Sequence, residues 1–123
     1  MPDSRTTDAE YVESLAIQSR DAQLAIHIRR AIASMCSVDP EQLCAQDDAQ
    51  RLNKKMKGWG SLGQIEFVMA LEDSIGDEDV QVYGPNLERI PPLVGLRILG
   101  LRQESPANFG EWVVSCVKVL AAR

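Results

Sequence analysis

The stretch GWGSLGQIEFVMALEDSIG, Gly58–Gly76, decides how the chain is read. Two glycines and a tryptophan lead into Ser61, and a helical pattern then runs unbroken to Gly76. At one helical step per residue, Phe67, Val68, Leu71 and Ile75 fall in one arc, the expected core face. Leu62, Glu66, Met69 and Asp73 fall on the opposite side. A solvent-facing stripe is ordinarily polar throughout. This one alternates apolar and acidic residues, the make-up of a docking surface with an apolar centre and a charged rim. Cover by the downstream segment would account for Leu62 and Met69 equally well.

Ser61 opens this helix, and Ser61-Leu62-Gly63-Gln64 is an S-x-x-Q capping box. Such a cap contributes about 1 kcal/mol, which is reason enough for a serine there. A helix N-terminus also presents free N–H groups and a partial positive charge, so it tolerates an attached phosphate. Gly58 and Gly60 keep side-chain bulk away from the hydroxyl.

Working upstream, Thr7 and Glu10 form a T-x-x-E capping box that starts a helix carrying Tyr11, Val12 and Leu15. In DAQLAIHIRRAIASMC, residues Ala25, Ile28, Ile32 and Met35 repeat as one buried stripe. His27 falls off that stripe and reads as a surface residue, neither ligand nor base. Asp39 and Pro40 predict a short capped helical piece, followed by the basic loop AQRLNKKMKGWG. Downstream of Gly76, VQVY alternates weakly like a strand, too briefly to assign as one. Pro91 and Pro92 predict a helix through Leu93, Val94, Leu96, Leu99 and Leu101. Asn108 and Glu111 cap a last helix whose apolar face is Trp112, Val113, Cys116, Val117 and Leu120. The expected fold is an all-α bundle: residues 1–21 form an N-terminal helical extension, 22–123 the main domain, and 77–107 an enlarged connection before the last helix.

The chain has 123 residues, 45% of them apolar and 5% aromatic, so one small domain with a mainly aliphatic core is expected. Its net charge of −5 argues against nucleic acid and against anionic lipid as partners. The charge is uneven. Residues 49–60 hold Arg51, Lys54, Lys55 and Lys57 and no acid, whereas 61–80 hold six acids and no base. Cys36, Cys44 and Cys116 are too few and too scattered for a disulfide framework, and with His27 the only histidine a zinc site is not expected. No run is apolar enough to span a membrane, and the start of the chain lacks the apolar core of a signal peptide; a reduced, cytoplasmic protein fits. GWGSLG misses the nucleophile elbow, which needs glycine two positions before the serine where Trp59 stands, and no P-loop spacing occurs. No catalytic residue is assigned.

The stretch GWGSLGQIEFVMALEDSIG resembles the centre of acyl carrier proteins and related phosphopantetheine-binding domains. Trp59, Ser61, Leu62, Glu66, Val68, Met69, Ala70, Leu71, Glu72 and Gly76 stand in register with the family's D-S-L motif and the helix after it. IRRAIASMCSVDPEQLCAQDD is similar to the family's first helix and the V-D-P-E-x-L turn, and NFGEWVVSCVKVL to the start of its last helix. The likeness is good over about residues 25–76 and weaker at 108–120. It implies a four-helix bundle with no reaction of its own, serving fatty acid or polyketide assembly. It further implies 4′-phosphopantetheine on Ser61, donated from coenzyme A by a phosphopantetheinyl transferase, with an acyl group held as a thioester. Leu62, Glu66, Met69 and Asp73 would then be read by acyl-loading and acyl-accepting enzymes. Gly60 stands where the family has Asp or His, and the loop before Ser61 is basic where carriers are neutral or acidic; both mark a divergent member. An unmodified carrier-fold interaction module is the alternative.

Overall fold

The computed structural model describes residues 6–48, 51–52, 61–76, 97–98, 101–102 and 108–121; for 61–64, 97–98, 101–102 and 121 it describes backbone alone. The chain is a small all-α bundle of four main helices: α1 (Asp8–Leu15), α2 (Ala22–Cys36), α3 (Ser61–Ile75) and α4 (Phe109–Ala121). Strands β1 (Arg97–Ile98) and β2 (Leu101–Arg102) pair antiparallel, with Arg97 opposite Arg102 and Ile98 opposite Leu101.

That pairing corrects the expected helix through Leu93–Leu101, at least across its last residues. Gly100 interrupts the apolar pattern and is among the poorest residues for a helix interior. Two residues lie between Ile98 and Leu101, a spacing that tight hairpins use. Of the expected basic loop 49–60, Arg51 and Leu52 are instead helical, with Leu52 buried and its N–H on Asp48 O at 3.2 Å; its other residues and the VQVY segment lie outside the described residues.

The caps predicted at Thr7, Asp39 and Asn108 form. Thr7 Oγ1 accepts from the Glu10 N–H and Glu10 Oε1 accepts from the Thr7 N–H, both at 3.2 Å. Helix α1 stops at Ala16, which adopts the left-handed conformation at φ 54°, and a 3-10 turn at Ser19–Asp21 leads into α2. At the end of α2, Ser37 is left-handed, its N–H reaches Ser34 O, and the Val38 N–H bonds Ala33 O at 3.0 Å. This is a Schellman closure with its apolar residue, Val38, folded back on the core.

Helix α2 is the centre of the bundle and packs against each of the other three helices. Ala25, Ile28 and Ile32 of the expected stripe are buried, but so are Leu24, Ala31 and Ala33 beside them. His27 Nδ1 lies 2.7 Å from Ser74 Oγ, which places the start of α2 beside the end of α3. Phe109 and Gly110, which open α4, bond the loop after α2, while Val117 and Lys118 near its end line a cleft with Ala16–Gln18 before α2. Helices α3 and α4 therefore both run opposite to α2, and in the same sense as each other.

Two devices tie the periphery down. Arg29, fully buried, donates from Nη1 to the carbonyls of Thr6 (2.8 Å) and Leu43 (3.1 Å), and from Nη2 to Asp8 Oδ1. Its guanidinium also lies 4.6 Å from the centre of the Tyr11 ring, and the Tyr11 hydroxyl donates to Ala25 O. The second device is the start of α4, where a helix leaves unpaired donors. The Phe109 N–H bonds Asp47 O (2.8 Å), the Gly110 N–H bonds Ala45 O (2.8 Å), and the Glu111 N–H bonds Asn108 Oδ1 (2.9 Å). A Cβ on Gly110 would sit 2.8 Å from Ala45 Cβ and 3.0 Å from Ala45 O, so only glycine fits.

Gly110→Ala is therefore expected to destabilise the fold by about 1–3 kcal/mol in urea unfolding, against the small gain alanine would give in an open helix. A second expectation concerns alkali. Burial pushes the Tyr11 hydroxyl well above the ordinary tyrosine range, partly opposed by the Arg29 charge, and burial pushes the Cys116 thiol up. Both groups keep their protons in the native state while the unfolded chain loses them. Stability should thus fall as pH rises through about 8.5 and then about 10, by up to about 1.4 kcal/mol per pH unit for each group. Urea unfolding of Tyr11→Phe across that range should lack the upper component.

Candidate functional site

Helix α3 is held on its inner side by aromatic and polar contacts. Phe67 and Leu71 are buried, and Val68 and Ile75 pack against the same core as partly buried residues. The Phe67 ring meets Trp112 edge-on, with centroids 5.1 Å apart. Near the other end, the His27–Ser74 contact joins α3 to α2. An aromatic anchor and a polar one, seven residues apart on one face, fix both the position and the rotation of the helix.

The outer side of α3 is left open. Met69 is 64% exposed and Ile65 56%, and Glu66, Glu72 and Asp73 are exposed around them. Cover of Met69 by the downstream segment is therefore not what is found. Ile65 extends the ridge, and sequence reasoning omitted it. It lies one turn before Met69, and i, i+4 neighbours share a face, so the signal was present.

Ser61 is the first residue of α3. Its side chain and that of Leu62, the predicted capping box, Gly58, Trp59, Gly60 and the lysines before them lie outside the described residues. Of the predicted docking set, Glu66, Met69 and Asp73 are brought together on the open face, spanning about two turns of α3.

His27 is a correction. It was expected at the surface and is fully buried. The stripe alone did not reveal this, because α2 is covered on several sides and a residue off its main stripe still faces α3. The ring nitrogen is satisfied by a hydroxyl, which is what makes the burial tolerable. Its partner is Ser74, thirteen positions beyond Ser61, or roughly 20 Å along the helix at 1.5 Å per residue. The imidazole thus sits by the far end of α3 from Ser61.

Cys36, Cys44 and Cys116 form no disulfide. The Cys44 thiol is pushed up by burial and then by the neighbouring Asp47 carboxylate, whose Oδ1 accepts from Sγ at 3.4 Å. Among the described residues, no group of three or more His, Cys, Asp and Glu side chains is placed to hold a metal ion. No described helix is long and apolar enough to cross a membrane. A half-open cleft of about 470 Å³ lies between the α1–α2 connection and α4, lined by Ile17, Val114 and Val117 with exposed Arg20 and Lys118. It is at the end of the bundle away from Ser61. Compared with known protein families, curated proteins and solved structures, the chain matches none.

Proposed function

We propose that the chain is an acyl-carrier-like protein: Ser61 takes 4′-phosphopantetheine from coenzyme A, the arm's thiol holds an acyl group as a thioester, and partner enzymes dock on α3. The observation that carries this reading is the open ridge of Ile65, Glu66, Met69 and Asp73 on the helix that Ser61 begins. Large apolar side chains left in water within an acidic rim are what a transient partner with an apolar centre and basic periphery would engage. A phosphodiester at Ser61 would sit at the positive end of the α3 dipole. The domain itself supplies a tether and an address, and the chemistry belongs to the phosphopantetheinyl transferase and to the acyl-loading and acyl-accepting enzymes. Three cysteines that form no disulfide suit a reducing, cytoplasmic setting.

Gly60, in place of the acidic residue usual before such a serine, favours a second reading: a carrier-shaped module that binds its partner unmodified through the same ridge.

Incubation with coenzyme A and a broad-specificity phosphopantetheinyl transferase should add the mass of one phosphopantetheinyl group, and Ser61→Ala should abolish the gain. Absence of any gain with several transferases would favour the unmodified module. The two sides of α3 should also separate cleanly. Phe67→Ala should cost about 3–5 kcal/mol of stability. Met69→Ala and Asp73→Lys should stay within about 0.5 kcal/mol of the parent yet lower kcat/KM for arm transfer by about tenfold, equivalent to about 1.4 kcal/mol of lost docking.

A further inference from the structure

The cleft between the α1–α2 connection and α4 takes no part in the surface of α3, and two kinds of side chain build it. Its floor is aliphatic: Ile17 from the connection, and Val114 and Val117 from α4. Val117 belongs to the buried core, and Ile17 and Val114 are partly buried against that core. Its rim is charged. Arg20 in the 3-10 turn before α2 and Lys118 in the last turn of α4 are both exposed, and Asp21 stands next to Arg20. Val114 and Lys118 are four positions apart and so share a face of α4, which carries the ammonium at the edge of the apolar floor.

The two cations are unanswered. Acidic side chains outnumber basic ones by 18 to 13 in the sequence. Yet among the described residues neither Arg20 nor Lys118 takes part in an ion pair or a side-chain hydrogen bond; the described ion pairs are those of Arg29 and Arg30 with Asp8. Two cations against the one carboxylate of Asp21 leave the mouth of the cleft positive on a protein of net charge −5. A purely hydrocarbon ligand would leave those charges unused, and a bare inorganic anion would leave the floor in water. A molecule with an aliphatic body and one negative charge uses both: the body leaves water for the isoleucine and valines, and the charge meets cations that have no internal partner to give up. The volume of about 470 Å³ lies within the range of about 300–1,000 Å³ found for small-molecule sites.

We propose that this cleft binds a small aliphatic monoanion of the medium-chain carboxylate type, its hydrocarbon on Ile17, Val114 and Val117 and its carboxylate toward Arg20 and Lys118. The cleft lies at the end of the bundle away from Ser61, and its occupancy does not require any group attached there.

The test titrates the full chain with octanoate and follows the methyl resonances of Ile17, Val114 and Val117, with acetate, octanol and octylammonium run alongside. Octanoate at up to about 10 mM, enough to reveal a millimolar affinity, should shift the methyls of all three residues together and saturably. Acetate, which lacks the body, should leave them unmoved, and octanol and octylammonium, which lack the negative charge, should bind more weakly than octanoate. Arg20→Gln and Lys118→Gln should each weaken octanoate about threefold, the scale of one exposed charge contact. Asp21→Asn, which removes the opposing carboxylate, should tighten it by about the same factor; Asp21 makes no capping bond to α2 that the change would break. All three variants should keep the parent melting temperature to within about 2 °C, so that a change in affinity reports the rim and not the fold. No methyl shift with octanoate, equal shifts with octylammonium, or an octanoate affinity indifferent to both Arg20→Gln and Lys118→Gln would overturn the proposal.

Discussion

A guanidinium with no exposed side-chain surface has to have its charge answered from within, and Arg29 sets that requirement at the middle of the central helix. Its answers come from separate parts of the chain: the Thr6 carbonyl and the Asp8 carboxylate before and within α1, the Leu43 carbonyl after α2, and the face of the Tyr11 ring. Burying such a cation is costly, and withdrawing a partner would leave its charge short of compensation inside the bundle. The arrangement thus holds or fails together. It explains why α1, short and marginal by itself, belongs to the bundle: α1 supplies Asp8 and Tyr11, and Tyr11 carries the first ring of the aromatic stack.

From that ring the packing continues through Phe109 and Trp112 to Phe67, so the same line of contacts that begins at a buried charge ends on the inner side of α3. The outer side of α3 has no such engagement. Ile65 and Met69 are large apolar residues in water on a helix whose other face is fully committed. A helix pinned at Phe67 and at Ser74 presents its outer residues at a fixed rotation, which is what a surface meant to be read needs.

Much of this was legible in the residues. The Thr7 box, the Asn108 cap, the faces of α3 and α4 and the stripe of α2 all follow from spacing, because caps and periodicity are local and repeat regularly. The misses are long-range. His27 is buried by its apposition to Ser74, 47 residues away, which no window of sequence contains. Arg29 stands beside exposed Arg30 in a charged doublet, and nothing in the spacing separates the two. The helix expected to reach Leu101 failed for the opposite reason: a run of leucines suits a helix or a buried strand alike, and Gly100 and the Ile98–Leu101 pairing decided between them. Ser61 and Leu62 were picked out by spacing and resemblance, and their side chains lie beyond what the structure describes.

The common direction of α3 and α4 imposes a requirement on the chain between them. Antiparallel neighbours can be joined by a tight turn, whereas a polypeptide leaving the end of one helix to enter the start of a codirectional one must travel back along the bundle. For a helix of fifteen residues that return journey is about 22 Å, which an extended strand covers in about seven residues. The stretch from Asp77 to Ala107 is several times longer than the return demands. Lengthening such a span is cheap, about 0.6 kcal/mol for each doubling, so the site between α3 and α4 is where this architecture can absorb added sequence at least expense to its core.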